Sequence, residues 1–223
     1  MQSSLPTIAV LGGTGREGPA LAMRCAVAGY PVIIGSRQAE KAQTTAAVIN
    51  QKLGFNTLRG MENLEAARLA DLCVLTVLQS AHEIMIENLK EVLRGKMLID
   101  TTARVDFQNP VPPPPPSAAR MAQTKLGRET RVVAAFQNVP AGLLKKGLGQ
   151  TLDVDVLVCA DDLSAAEETI KLANAIGLRG FYAGNLDNAV VVEGLTSILI
   201  SLNRHYKSHS ASICITGIEH AQM

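Results

Sequence analysis

The stretch Thr7-Ile8-Ala9-Val10-Leu11-Gly12-Gly13-Thr14-Gly15-Arg16-Glu17-Gly18 sets a short apolar, β-prone run directly against a cluster of glycines. Such a run, stopped abruptly by glycine, predicts a buried strand and a tight turn. Beyond it, Arg16 to Ala28 is rich in small, helix-compatible residues, with Pro19 early enough for a first helical turn and Gly29 to close the segment. Pro31-Val32-Ile33-Ile34-Gly35 supplies a second apolar strand, completing a βαβ unit of about thirty residues. Inside it, Gly13-Thr14-Gly15-Arg16-Glu17-Gly18 has the form G-x-G-x-x-G. Between strand and helix each glycine serves a different end, Gly13 the tight turn, Gly15 close approach to a pyrophosphate, and Gly18 helix–strand packing. The helix start behind them offers free N–H groups and the positive end of a dipole to phosphates, so the unit predicts a dinucleotide site.

The end of the second strand tells which dinucleotide. An NAD-preferring site carries an acid there for the ribose 2′-hydroxyl, whereas this chain reads Gly35-Ser36-Arg37. Arg37 offers a planar, permanently charged fork to a 2′-phosphate, Ser36 a neutral donor, and Lys41 a second cation four residues on. The expected nucleotide is NADP(H).

Outward from this unit the alternation continues. Gln38 to Gly54 reads as a helix with Ala42, Ala46, Val48, Ile49 and Leu53 on its apolar side, Thr57 to Arg59 as a short third strand, and Asn63 to Ala70 as a helix. Leu72 to Val77 reads as a central strand, Ser80 to Arg94 as a helix with Ile84, Ile86, Leu89, Val92 and Leu93 apolar, and Met97 to Asp100 as a fifth strand. Further strands are expected at Arg131 to Phe136, Val154 to Cys159 and Arg179 to Ala183, with a helix Ser164 to Ile176 opened by a capping box of Ser164 and Glu167. This is the pattern of an α/β, Rossmann-type doubly wound, mainly parallel sheet. The five prolines Pro112 to Pro116 cannot join a ladder. They predict a stiff extended loop before the helix Ser117 to Leu126, the other reading being a ligand for a proline-reading module. From about Leu186 a helix apolar around much of its circumference needs cover, from the first domain or from another copy of the chain. The division expected is an NADP-binding domain over 1–184 and a small C-terminal helical, dimerising element over 185–223.

Composition narrows the partners. Twenty-one Lys and Arg against twenty Asp and Glu leave +1, and three Tyr, four Phe and no Trp supply few stacking platforms, so nucleic acid is not expected. The start lacks the features of a signal peptide, and no apolar run is long enough for a membrane helix. Cys25, Cys73, Cys159 and Cys214 are widely spaced, without a C-x-x-C pair or a His cluster, and read as reduced thiols of a cytoplasmic protein. His205, His209 and His220 have no acid or thiol at ligand spacing, so no metal is expected.

The start LGGTGREGPALAMRCAVAGYPVIIGSRQAEKA closely resembles the NADPH-dependent reductases of the deazaflavin coenzyme F-420 (F420). The resemblance continues through Val74 to Val77, Phe136 to Ala141, Asp153 to Asp162, Gly184 to Asn188 and Glu193 to Thr196. It implies a homodimer that moves a hydride between NADP(H) and F420 with no catalytic side chain. It also implies that Thr14, Ser36, Arg37 and Lys41 hold the adenine-ribose phosphate, with Val77, Leu78, His82, Ala103 and Ala141 near the nicotinamide. His82 on its own has two readings, a hydrogen bond to the nicotinamide amide or a phosphate, and a solvent-facing helix start. Gln137, with Asn138 beside it, stands where several of these reductases have a histidine lining the deazaflavin pocket, and is expected to bond a ring carbonyl. Two other readings remain open: an NADP-dependent reductase of a flavin, a ferric chelate or an imine, and a non-catalytic NADP(H)-binding protein.

Overall fold

The computed structural model describes residues 5–218. Along them run β1 (Ile8–Leu11), α1 (Gly18–Val27), β2 (Val32–Ser36), α2 (Ala39–Leu53), β3 (Arg59–Glu62), α3 (Asn63–Leu69), β4 (Leu72–Leu75) and α4 (Gln79–Leu89). Then come β5 (Met97–Asp100), α5 (Ala118–Leu126), β6 (Arg131–Ala134), α6 (Ala141–Leu144), β7 (Asp155–Ala160), α7 (Leu163–Ala175), β8 (Arg179–Tyr182) and α8 (Ala189–His205). The strands form one sheet in the order β3-β2-β1-β4-β5-β6-β7-β8. All neighbouring pairs are parallel except β6 with β7. The Rossmann-type reading therefore holds.

Period-two alternation assigns each strand residue to one of two cores. Ile8 and Val10 of β1 pack with Leu21 of α1, Ala46 of α2 and Ile170 of α7. Ala9 and Leu11 pack on the other face with Ala66 of α3, Ile86 of α4, Ala122 of α5 and Val192 of α8. Burial on both faces is why β1 reads as an unbroken apolar run. The crossing from β3 back to β4, beside β1, creates the switch point at which such sheets bind ligands.

Several boundaries differ from the sequence reading. The third strand begins at Arg59, because Asn50 holds both backbone groups of Leu58: Leu58 N donates to its Oδ1 at 3.1 Å, and its Nδ2 donates to Leu58 O at 2.9 Å. Val48 and Ile84 lie on the solvent faces of α2 and α4, not on their apolar sides. α4 stops at Leu89, and Val92 and Leu93 pack from the turn that follows. The cap of α7 is Asp162, whose Oδ1 accepts from Ala165 N at 2.9 Å and from Ser164 Oγ at 2.6 Å; a carboxylate placed before Ser164 has displaced the Ser164–Glu167 box.

The proline segment is anchored against α8 at its start, while Pro114 to Pro116 are exposed. Ser197 Oγ of α8 donates to Val111 O at 2.8 Å, and a Cβ at Gly194 would stand 3.3 Å from Pro112. One side of α8 is thus buried by Ala189, Val192 and Glu193, while Val191, Ile198 and Leu202 remain exposed. The tail beyond α8 returns to β7, with Asp155 N donating to Ile213 O at 3.1 Å.

A buried cation organises the opposite flank. Arg24 of α1, 1% exposed, donates from Nε to Leu144 O at 2.9 Å, from Nη1 to Ile176 O at 2.8 Å and from Nη2 to Lys146 O at 2.6 Å. Longer bonds of 3.3 Å reach Gln150 O and Gly147 O. The guanidinium thus gathers the loop after α6 and the end of α7 around α1. No helix among the described residues is long and apolar enough to cross a membrane.

Candidate functional site

The carboxyl ends of β1, β2, β4, β5 and β6 lie along one edge, and every candidate residue named from sequence follows one of them. At the end of β1 the chain turns through Gly12, whose φ of +70° is the left-handed one. The tight turn assigned to Gly13 therefore belongs to Gly12, and Gly13 is glycine for space: a Cβ there would meet Val10 O at 2.5 Å. Gly18 packs as expected, since its Cβ would meet Gly13 Cα at 2.5 Å and Thr76 Oγ1 at 2.8 Å. At Gly15 the first atom a Cβ meets is Gly12 O at 3.8 Å, which leaves open space in front of that backbone, as approach of a diphosphate requires.

At the end of β2, Ser36 Oγ accepts from Gln38 N at 3.3 Å, which leaves its hydroxyl hydrogen to donate elsewhere. Arg37 and Lys41 are exposed, with no side-chain hydrogen bond or ion pair among the described residues. Lys41 stands in the first turn of α2, where a cation opposes the helix dipole and an incoming phosphate relieves that opposition. Gln38 gives α2 no side-chain cap, so its first N–H groups add to the same anion-binding corner.

The ends of β4, β5 and β6 build the other half. Leu78 is 67% exposed, and Val77, Ala103 and Ala141 are half-buried, giving an apolar rim. His82 is not solvent-facing: its Nε2 donates to Asp100 Oδ2 at 2.7 Å, and the Asp100 side chain is entirely buried. Asp100 is a hub. Its Oδ1 accepts from Thr102 N at 3.0 Å and its carbonyl accepts from Gln137 Nε2 at 2.9 Å. Beyond it, Arg104 Nε donates to the buried Glu193 Oε2 at 3.0 Å, and Ala118 N donates to Glu193 Oε1. Gln137 thus commits one of its two Nε2 hydrogens to Asp100, and its Oε1 is an unpartnered acceptor. Oε1 fits a ligand N–H, and the ring carbonyl expected from sequence would take the second Nε2 hydrogen. Asn138 turns away from this edge, donating from Nδ2 to Asp155 O at 2.6 Å.

Three buried side-chain atoms without a partner, Glu17 Oε1, Thr102 Oγ1 and Gln137 Oε1, belong to this edge. Buried polar atoms are rarely left so, and together with the space before Gly15 and the unpaired cations they fit a polar ligand laid across β2, β1, β4, β5 and β6. Burial opposes the charge on Glu17 and lifts its carboxyl to about 8, against a weaker lowering by Thr101.

Burial alone would lower the His82 pKa, but the bond to Asp100, its charge and that of Glu193 prevail over burial and the nearby Arg104, and the value is raised. The stabilising contribution of this pair is complete below the unfolded value of 6.5 and is lost as pH rises through the raised one. NMR titration should find the His82 midpoint above 6.5, and Asp100→Asn should carry it downward. A wild-type midpoint below 6.5 would show that burial dominates.

His82, Gln137, Asn138 and Glu17 were named from sequence, whereas the roles of Asp100, Thr102, Arg104 and Glu193 in this network were missed. An acid closing the apolar run Met97-Leu98-Ile99 was the available signal for Asp100. Nothing local marks Arg104 or Glu193 as partners. His220 lies outside the described residues.

Residues 7–104 match the family model described as NADP oxidoreductase coenzyme F420-dependent. An F420-dependent NADP reductase of Methanocaldococcus jannaschii is 38% identical, over 95% of this chain and 99% of that protein. The F420-dependent NADP reductase of Methanothermobacter marburgensis is 39% identical, over 95% of this chain and 98% of its own. A solved Arthrobacter structure, described as a candidate F420-dependent NADP reductase, superposes with a TM-score of 0.78 at 26% identity, over 95% of this chain and 99% of that one. A pyrroline-5-carboxylate reductase from Coxiella burnetii, at 17% identity and TM-score 0.62, shares the fold.

Proposed function

The chain belongs to the coenzyme F420-dependent NADP oxidoreductases, and from that premise we propose how its residues divide the work of hydride transfer between NADP(H) and F420. The observation that carries the reading is the unpaired Arg37 and Lys41 beside Ser36, at a strand end without an acid. They hold the 2′-phosphate with Thr14, while Gly13, Gly15, Arg16, Glu17 and Gly18 form the cradle of the diphosphate. Val77, Leu78, Ala103 and Ala141 wall the nicotinamide and keep water from it, with His82 fixed behind them by Asp100. Gln137 offers its free acceptor toward the deazaflavin.

When bound, NADPH supplies the hydride and the deazaflavin ring accepts it, so the protein needs no nucleophile. Its residues set the distance and orientation of two rings and exclude solvent. Residues 1–184 would carry the nucleotide and 185–223 the C-terminal element, with the exposed Val191, Ile198 and Leu202 of α8 covered by a second copy. Light scattering at twice 23.6 kDa tests that homodimer. A cytoplasmic setting suits four free cysteines.

Mixed anaerobically with NADPH, oxidised F420 should lose its visible absorption when the protein is added. Bound NADPH without bleaching would mean that another acceptor, or none, is used.

A further inference from the structure

Glu17 is the one acidic side chain in the glycine turn, and the chemistry above does not use its charge. It caps the start of α1, its carbonyl accepting from Ala20 N at 2.9 Å and Leu21 N at 3.0 Å. Its carboxyl reaches sideways, placing Oε2 3.4 Å from Thr101 Oγ1, whose single hydrogen also has Leu75 O as an acceptor at 3.0 Å. Thr101 follows β5, which is separated from β1 by β4. The side chain therefore lies over the end of β4, across a gap of about two strand spacings, roughly 10 Å. That is the switch-point crevice through which a dinucleotide must run from the anion corner of β2 toward β5. In that crevice Oε1 is buried and has no partner.

Among the described residues no charged group neutralises this carboxyl. Among the charged residues along the edge, Asp100 is bound to His82 and Thr102 N, and Arg104 to Glu193. Farther along α1, Arg24 is engaged with carbonyls. Arg16, Arg37 and Lys41 point into solvent. Thr76 after β4, Thr101 after β5 and Gln137 after β6 are uncharged. A carboxylate there would set its charge against the negative oxygens of a diphosphate, whereas a carboxylic acid offers one of those oxygens a donor.

We propose that Glu17 is a proton-linked contact of the dinucleotide site, entering the NADP(H) complex as the neutral acid with Oε1–H donated to a diphosphate oxygen. The inference rests on the NADP(H) reading given above and adds a condition to it: the protein takes up the nucleotide in its Glu17-protonated form. Burial already holds that form ready at neutral pH, because the carboxyl titrates at about 8. Affinity is then constant through neutrality and declines where the free protein loses this proton.

The test is NADPH affinity, read from nicotinamide fluorescence between pH 6 and 9.5, without F420 or turnover. The wild-type dissociation constant should stay level to about pH 8 and then rise toward tenfold per pH unit, the slope of one linked proton. Glu17→Gln keeps the shape and a donor but cannot ionise, and its profile should be flat. A level wild-type profile to pH 9.5, or a parallel decline in Glu17→Gln, would overturn the proposal. Calorimetry on the wild type in two buffers of different ionisation heat needs no variant. Above pH 8.5 it should find uptake approaching one proton per NADPH, and zero uptake would refute the linkage. Failure of the wild type to bind NADPH at pH 7 would instead remove the nucleotide reading itself, and this proposal with it.

Discussion

Replacing Arg37 with alanine should weaken NADPH binding by between one and two orders of magnitude and leave NADH binding nearly unchanged. A charge-assisted hydrogen bond of this kind contributes about 1.5–3 kcal/mol, and about 1.4 kcal/mol corresponds to tenfold. The cost is confined to the phosphorylated nucleotide because Arg37 has no other side-chain partner among the described residues whose loss would disturb the fold. Lys41→Ala should act in the same direction but less, since an ammonium lacks the planar fork. The ratio of NADPH to NADH dissociation constants is the quantity to measure. Equal weakening of both would move Arg37 away from the 2′-phosphate and onto the shared part of the dinucleotide.

Arg24→Met should produce a large loss of stability. The methionine fills part of the same volume but leaves the buried carbonyls of Leu144 and Ile176 unpaired, and removes the part-buried bonds to Lys146, Gly147 and Gln150. An unpaired buried polar group costs about 1–3 kcal/mol, so the total should reach about 3–5 kcal/mol even after the loops relax. In a chain of this length that lowers the melting temperature by roughly 10 °C. Arg24→Lys should recover only part of the loss, because one ammonium cannot span carbonyls from two separate segments. A melting temperature within 2 °C of wild type, on the order of 1 kcal/mol or less, would show that water satisfies those carbonyls equally well.

The contrast between these two arginines explains what the chain disclosed before its structure was known. Arg37 could be singled out because everything that marks it is local: a strand end, a missing acid and a cation one helical turn later are neighbours in sequence. The sheet was legible for the same reason, since each apolar run and each closing glycine acts within a few residues. Arg24 was passed over as one more polar residue in a helix of small side chains. Its partners are carbonyls more than a hundred residues away, and a carbonyl has no signature in sequence. Asp100 behaves likewise, joining His82 and Gln137 only because β5 lies between β4 and β6. Gly12 was overshadowed by the motif beside it, although the turn conformation that demands glycine is its own. Where local signals compete, as between Asp162 and Ser164 for the start of α7, the stronger acceptor prevailed.

Direct transfer between two rings held by uncharged walls leaves no covalent or exchangeable stage on the protein, and isotope tracing tests this most directly. NADPH deuterated at the transferred position of nicotinamide C4 would be mixed with oxidised F420 and the protein in ordinary water under anaerobic conditions, and the reduced coenzyme examined by mass spectrometry. Direct transfer predicts that the reduced deazaflavin carries the deuterium and gains one mass unit over the product from unlabelled NADPH. Reduced deazaflavin without label, its hydrogen drawn from the solvent, would contradict it.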